Sequence, residues 1–149
     1  MSSAAAVLLC VLGMVGRSSN HARTVELLDV RPAIVSANAE AFTDRTNGKI
    51  YILTSTAVFR DAQRGQLLAL KKLASIYVHE EWHLRHGADE RAAYEAQLTA
   101  LAMLGTGPGT ALYQGVVHAM LQVQKQEDAR KRKTPQDMLV ARTFDPPLP

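Results

Sequence analysis

The second half of the chain carries apolar residues at helical spacing, which predicts three consecutive helices. Residues 67–86 form the first of them, a half-buried helix with an apolar stripe along one face. Residues 88–104 are rich in Ala and Leu and predict a second helix, and residues 110–133 predict a third, amphipathic one. The glycines and the proline of residues 105–109 mark a loop between these last two helices.

The first half of the chain predicts strands. Residues 41–46 and 49–54 are rich in residues that favour strands, and they flank Asn47-Gly48, a dipeptide typical of a two-residue hairpin turn. Residues 34–35 predict a further short strand. We therefore expect an α+β fold that is mostly helical, with a small antiparallel sheet preceding the first long helix.

The composition is that of one ordinary globular domain. The chain has 149 residues, of which 47% are hydrophobic and 21% charged, so it can bury a sizeable core. Its single cysteine, Cys10, excludes an internal disulfide, so stability depends on packing and on any bound metal. The net charge is +3, and we interpret the basic cluster at residues 130–133 as the solvated end of a helix. We therefore expect no nucleic-acid partner.

The N-terminal segment, residues 1–20, contains an uncharged apolar run at residues 4–16. This length fits the core of a signal peptide better than a membrane span, which needs ~20 residues. We expect the segment to direct export or to associate with a membrane, which would make the protein secreted or membrane-anchored. A buried apolar helix in a cytoplasmic protein, or an incorrectly assigned start codon, are the alternatives, since residues 1–3 carry no positive side chain.

The chain therefore divides into three parts. After the apolar segment, residues 21–133 form the domain itself. Residues 134–149 form a tail that contains several prolines, which we expect to be extended and mobile. The sequence has no internal repeat, no phosphate-binding loop and no second domain.

One motif constrains the chemistry more tightly than any other part of the chain. His79 and His83 lie four residues apart in the first long helix, so both imidazoles project from one face about one turn apart. Two histidines in this arrangement can bind one tetrahedral zinc ion, and Glu80 can deprotonate a water on that ion. The alternative is a surface helix that carries two histidines by chance, but the apolar residues around the motif favour a half-buried helix.

A catalytic zinc ion usually needs a third protein ligand, and the residues after the motif supply candidates. Gly87 is suited to end the helix in a left-handed turn, and Asp89 is suited to cap a new helix. Glu90 then lies in the first turn of that helix, which brings its side chain back over the metal. We therefore take Glu90 as the third ligand.

Three other residues stay open as third ligands, namely Asp89, Glu95 and His86. His86 lies ~10.5 Å along the helix axis from His79, too far for a shared metal if the helix is regular. Asp89 is better used as a helix cap, and Glu95 suits either a supporting position near the site or a solvated one. Glu81 should point to another face of the helix.

The motif of His79, Glu80 and His83, followed by Glu90 and a downstream Ala-Tyr pair, resembles the zincin metallopeptidases, and among them the gluzincins. The resemblance covers residues 76–97. It implies a minimal zincin-like domain in which Zn²⁺ is bound by the two histidines and Glu90, with Glu80 as the general base.

Two further expectations concern the surroundings of the metal. Tyr94 lies four residues after Glu90 and shares its helix face. We name Tyr94 as a catalytic candidate that donates to the developing oxyanion, and the alternative is that it packs below the site. In zincins an edge strand above the metal helix pairs with extended substrate, and residues 50–53 take that place by resemblance. The alternative is an ordinary hairpin that covers the core.

From the sequence we therefore expect a zinc-dependent metallopeptidase that acts on peptide or protein substrates. Two other classes stay open. One is a metal-dependent hydrolase of non-peptide substrates. The other is a non-catalytic, membrane-tethered helical protein with a structural or incidental metal site.

Overall fold

The computed structural model describes residues 1–133, and the predicted tail lies outside them. Within this part of the chain the elements are, in order, α1 (Ala4–Met14), a 3-10 helix (Ser19–Thr24), β1 (Val25–Leu28), β2 (Ala41–Asp44), β3 (Lys49–Leu53), α2 (Ala57–Gln63), α3 (Leu67–His86), α4 (Glu90–Met103) and α5 (Ala111–Lys131). The fold is mixed α+β and mostly helical, as predicted.

Helix α3 lies at the centre of the molecule. It is rich in strong helix formers and contains neither proline nor glycine. Helices α1, α2 and α4 and strands β2 and β3 all pack against it. Besides the apolar residues that join the main core, α3 buries five polar side chains: Ser75, His79, Glu80, Glu81 and His83. Burial of a polar group is costly unless the group finds a hydrogen-bond partner, so each of these residues constrains a neighbouring element.

The three strands form one sheet in the order β1-β3-β2. Strands β2 and β3 are antiparallel, which confirms the predicted hairpin, whereas β1 runs parallel to β3. The sheet is therefore mixed rather than wholly antiparallel. Its face toward α3 is formed mainly by buried apolar residues of β2 and β3, and on the other face Phe42 stacks on Tyr51 with ring centroids 4.8 Å apart.

The hairpin turn is longer than predicted. Asp44 pairs with Lys49, so residues 45–48 form the loop in place of a two-residue turn at Asn47-Gly48. The Asp44 carboxylate accepts a hydrogen bond from the backbone N–H of Thr46 at 2.9 Å. This local hydrogen bond offers the backbone an alternative to strand pairing at the point where the pairing stops.

Two strand predictions were wrong. Residues 34–35 do not form a strand but lie in the loop between β1 and β2, where Ile34 is 97% exposed. Residues 50–53 lie in β3, the central strand, so within residues 1–133 the edge strand next to α3 is β2 instead. The second error follows from β1, a short strand that the pattern did not predict and that pairs with the other side of β3.

The apolar run near the N-terminus forms α1, and its buried residues Val7, Leu8, Val11 and Leu12 belong to the main core. This packing agrees with the alternative that the run is a buried helix. None of the helices in residues 1–133 is long and apolar enough to cross a membrane. Export or membrane association of the chain stays a prediction.

An ion pair links the segment after α1 to α3. Arg17 donates hydrogen bonds to both Glu81 carboxylate oxygens, from Nε at 2.9 Å and from Nη2 at 2.5 Å, and Tyr77 donates another at 2.9 Å. Burial alone would raise the pKa of Glu81, but these hydrogen bonds outweigh burial and leave its pKa lowered. Glu81 therefore stays ionised on a face of α3 different from that of the histidines.

Both helices that follow α3 have a side-chain cap, and the cap at Asp89 was predicted. The side chains of Asp89 and Thr110 accept hydrogen bonds from the first turns of α4 and α5 respectively. Helix α4 packs against α3, and α5 packs against α4. A second, small apolar cluster joins α4 to α5 through Leu98, Leu101 and Val116.

Replacing Arg17 with methionine removes the ion pair but keeps most of the side-chain volume. We expect R17M to lower the free energy of unfolding by about 2–3 kcal/mol, less than the ~3–5 kcal/mol typical of a fully buried pair. The loss is reduced because Tyr77 and Arg85 still contact Glu81. Urea unfolding at pH 7 measures it. The matched control is R64M, which breaks an exposed pair with Asp61 and should cost less than ~1 kcal/mol.

The pH dependence separates this ion pair from simple packing. Because the pKa of Glu81 is lowered in the folded state, its stabilisation is complete above the unfolded value of ~4.3 and is lost as the pH falls through the folded value. The stability difference between wild type and R17M should therefore shrink below about pH 4. A difference that is independent of pH would mean that lost packing, not lost charge, causes the effect.

Candidate metal site

Helix α3 presents His79 and His83 on the face that packs against α4. The two residues are one helical turn apart, and their Nε2 atoms lie 3.2 Å from each other. Their rings meet edge to face with centroids 4.9 Å apart. Both side chains are buried. The two nitrogens therefore converge on one point, as the spacing predicts.

The turn after α3 brings Glu90 to the same point. Gly87 ends α3 at φ +119° and ψ −151°, a conformation that is essentially confined to glycine. The turn is thus an extended one rather than the left-handed turn that the sequence predicted, although glycine is needed for both. One Glu90 carboxylate oxygen lies 2.9 Å from His83 Nε2, and the other lies 3.4 Å from His79 Nε2. One ligand atom from each of the three residues lies within 4.8 Å of the others.

Hydrogen bonds on the far side of each ring orient the converging nitrogens. His83 Nδ1 lies 2.7 Å from the backbone carbonyl of Gly87, which can only accept, so this nitrogen carries a proton. His79 Nδ1 lies 3.0 Å from the amide oxygen of Gln97, and it donates there in the same way. In each neutral ring the Nε2 atom is then left with a free lone pair, as in histidines that bind metals.

The orientation of the Gln97 amide follows from its own partners. Ser75 donates its hydroxyl proton to the carbonyl of Lys72 at 2.7 Å, and this leaves its oxygen free to accept. Gln97 Nε2 donates to that oxygen at 3.3 Å. The amide oxygen of Gln97 must therefore face His79. A buried chain of hydrogen bonds that begins at a helix carbonyl thus determines which nitrogen of His79 points toward His83 and Glu90. We refer to these three residues as the cluster.

Electron-pair donors consequently meet at one point, two from imidazoles and two from the Glu90 carboxylate. Such an arrangement needs a cation, which is either a proton or a metal ion. Without a metal, hydrogen bonds from His79 and His83 lower the pKa of Glu90 to about 2, and the hydrogen bond to Glu90 raises the pKa of His83. The donors also fit a metal. Zinc ligands at ~2.0–2.2 Å stand ~3.3–3.6 Å apart around a tetrahedron, close to the 3.2 Å between the Nε2 atoms.

Glu80 lies next to this cluster with 9% of its surface exposed. The hydroxyl of Thr43, on β2, lies 2.6 Å from Glu80 Oε2. Burial raises the pKa of Glu80, although the Thr43 hydroxyl and the neighbouring histidines act in the opposite direction. This position agrees with the role of general base expected for Glu80, which stays a prediction.

Tyr94 packs on the cluster from α4. Its ring meets that of His79 edge to face with centroids 4.6 Å apart. Burial is the main cause of its raised pKa, and the charges of Glu90 and Glu80 add to it. This position agrees with packing below the site, and the role of Tyr94 as an oxyanion donor stays a prediction.

The other candidates for the third ligand lie away from the histidine pair. Asp89 uses its carboxylate to cap α4. Glu95 is exposed and forms an ion pair with an arginine at 3.1 Å. His86 is exposed, and its ring contacts that of Trp82 at a centroid distance of 5.1 Å. Within residues 1–133, Glu90 is the carboxylate that completes a cluster with both histidines.

A cleft of about 710 Å³ opens beside the cluster. Residues 36–41, which lead into β2, form part of its wall together with residues of α3, α4 and α5. His79, Glu80, Glu90 and Tyr94 all line this cleft. A molecule that enters it can therefore reach both the cluster, through His79 and Glu90, and the carboxyl group of Glu80.

Two residues at the site were not predicted from the sequence. Gln97 lies seven residues after Glu90 on the same face of α4, and a polar residue at that spacing was a usable signal. Thr43 carried no signal, because a β-branched residue in a predicted strand is ordinary.

Comparison with known proteins adds no family to these observations. No protein-family model matches the chain, and neither curated proteins nor solved structures match it. The resemblance to the gluzincins therefore stays a prediction that rests on the motif.

The turn at Gly87 should not tolerate a side chain. We expect G87A to lower the free energy of unfolding by about 1–3 kcal/mol, because alanine is strained at this φ and ψ. Metal binding should weaken as well, since the Gly87 carbonyl orients His83. Urea unfolding and metal titration measure the two effects. The control is G48A, whose positive φ lies in the hairpin loop and which should affect stability alone. Metal affinity that is equal in G87A and wild type would contradict this account of the turn.

The amide of Gln97 should set the affinity for metal. We expect Q97L to weaken zinc binding by ~10–100-fold, as is typical when the partner of a ligating histidine is lost. The variant Q97E keeps an oxygen that accepts from His79 and should bind within ~10-fold of wild type. Competition with a chromogenic chelator measures both. Q66L, at an exposed glutamine that makes no side-chain cap, is the matched control. If Q97L binds zinc like Q66L, the hydrogen-bond chain has no role in metal binding.

Proposed function

We propose that the protein is a zinc-dependent metallopeptidase whose zinc ligands are His79, His83 and Glu90. The observation that supports this most directly is the convergence of their ligand atoms beside a cleft that His79, Glu90 and Glu80 line. Two imidazoles and one carboxylate suit zinc. Structural zinc sites usually have four protein ligands, whereas three ligands leave a position for water or substrate.

The chemistry divides between the metal and the chain. A zinc ion held by His79, His83 and Glu90 would supply Lewis acidity, which would polarise a scissile carbonyl and lower the pKa of an attacking water. Glu80 accepts a proton from that water and passes it to the leaving amine. The burial of Glu80 supports this exchange, because a carboxyl group with a raised pKa can hold the proton between the two steps. Tyr94, which packs on His79, is our candidate for a donor to the oxyanion.

Strand β2 favours peptide substrates. In the described part of the chain it lies at one edge of the sheet, and it pairs with β3 alone. Ala41 at its start lines the cleft, and Thr43 contacts Glu80, so this edge runs close to the base. An extended peptide can add to such an edge through backbone hydrogen bonds, which do not depend on its sequence. This assignment replaces residues 50–53, which lie in the central strand.

The test of the proposal is metal content and peptide hydrolysis in the full-length protein and three variants. We expect about one zinc per chain in wild type and in E80Q, and none in H83A. Hydrolysis of a peptide library should fall by ~10²–10⁴-fold in E80Q, because it loses the base while keeping the metal. H86A removes an exposed histidine outside the cluster, so it is the matched control and should keep both zinc and activity.

Other outcomes would assign the site differently. Zinc-dependent cleavage of esters or small amides without peptide cleavage would indicate a non-peptide hydrolase. Stoichiometric zinc without hydrolysis of any substrate would indicate a structural site. If the protein takes up no zinc even after reconstitution, or if E80Q is as active as wild type, the proposed mechanism is wrong.

A further inference from the structure

We infer that Thr43 is a positioning residue for Glu80, and that its hydroxyl holds the carboxylate in the orientation that proton transfer needs. The inference rests on the proposed function, and it concerns the base rather than the metal. It follows from the place of Thr43 in the sheet and from the surroundings of the two carboxylate oxygens.

Thr43 occupies a polar position on an apolar face. Ala41 lies two residues before it on the same face of β2, and the facing strand contributes Ile50 and Ile52, all three buried. Valine has almost the same shape and would suit this surface without placing a hydroxyl in it. The hydroxyl lies 2.6 Å from Glu80 Oε2 and 3.0 Å from the Glu80 backbone carbonyl. Both of its neighbours thus belong to one residue, which is the proposed base.

The two carboxylate oxygens of Glu80 have different surroundings. Oε2 accepts the hydrogen bond from Thr43. No buried side-chain oxygen in residues 1–133 lacks a hydrogen-bond partner, so Oε1, which has none there, is accessible. Because Glu80 lines the cleft, we place this accessible oxygen on the cleft side. The final torsion of a glutamate side chain is broad, and a hydrogen bond to one oxygen restricts it. Thr43 therefore determines where Oε1 points.

The proton transfer involves only the attacking water and Glu80 Oε1. An O–H bond of the attacking water breaks as an O–H bond forms at Glu80 Oε1, and the electron pair stays on the water oxygen that attacks the carbonyl. The Thr43 proton remains hydrogen-bonded to Oε2 throughout. Thr43 thus touches neither substrate nor metal. Its contribution is to keep Oε1 aligned with the water, since a misalignment of ~1 Å can lower a rate by ~10²-fold.

The test compares T43V with T43S in the zinc-loaded, full-length protein. T43V removes the hydroxyl and keeps the shape, whereas T43S keeps the hydroxyl and loses a methyl group. We expect T43V to lower kcat by ~10–100-fold with KM changed less than ~3-fold, and T43S to stay within ~3-fold of wild type in both. T54V is the matched control, because the Thr54 hydroxyl donates to the Leu28 carbonyl and does not line the cleft.

A second readout does not depend on turnover. A peptide hydroxamate binds zinc and shares a proton with the base, so its affinity reports the orientation of Glu80. We expect T43V to bind it ~10-fold more weakly than wild type, by calorimetry, with zinc content and zinc affinity unchanged. T43S and T54V should bind it as wild type does.

Three results would overturn the inference. The first is that T43V has the kcat and the hydroxamate affinity of wild type. The second is that T43S is as impaired as T43V, which would mean that the methyl group matters rather than the hydroxyl. The third is loss of zinc or of folding in T43V, which would make Thr43 structural. In each of these, wild type hydrolyses peptides and E80Q does not. If instead wild type is inactive or E80Q is active, the proposed function fails and the inference about Thr43 falls with it.

Discussion

The fold depends on satisfying the polar side chains that α3 buries. A helix surrounded by α1, α2, α4 and the sheet cannot leave carboxyl and imidazole groups without partners, because each unpaired group would cost more free energy than a single hydrogen bond contributes. Three of the surrounding segments therefore supply a partner. The segment after α1 supplies a guanidinium to Glu81, β2 supplies a hydroxyl to Glu80, and α4 supplies an amide to His79. The hydrogen bonds that allow α3 to be buried are therefore the same ones that orient the side chains of the site.

The same hydrogen bonds prepare the site for a cation. Because the Nδ1 atoms face carbonyl oxygens, the Nε2 atoms face each other and the Glu90 carboxylate with their lone pairs. Electron pairs this close repel unless a positive charge lies between them. A bound metal would therefore join α3 to α4 across the Gly87 turn, and its binding free energy would add to the stability of the fold.

Much of the helical structure and most of the site could be predicted, because their signals are local. The ends of α3, the cap at Asp89 and the return of Glu90 all follow from residues within about two turns of each other. The sheet was predicted less well. Strand β1 pairs with β3, which is distant in the sequence, and the pairing of the hairpin ends at Asp44 and Lys49 rather than next to the Asn47-Gly48 dipeptide. Strand order therefore had to come from the structure.

The sequence by itself determined helix α3, the spacing of its two histidines and the turn at Gly87 that brings Glu90 back toward them. Helical periodicity, capping and glycine conformation act over a few residues, so their signals are local. Only the tertiary structure decided what surrounds them. Three features depend on contacts between distant segments: the packing of α1 in the core, the position of β2 rather than β3 at an edge of the described sheet, and the hydrogen bonds of Thr43 to Glu80 and of Gln97 to His79. Such contacts depend on burial and on the pairing of polar groups, and neither can be predicted from residues that are close in the sequence.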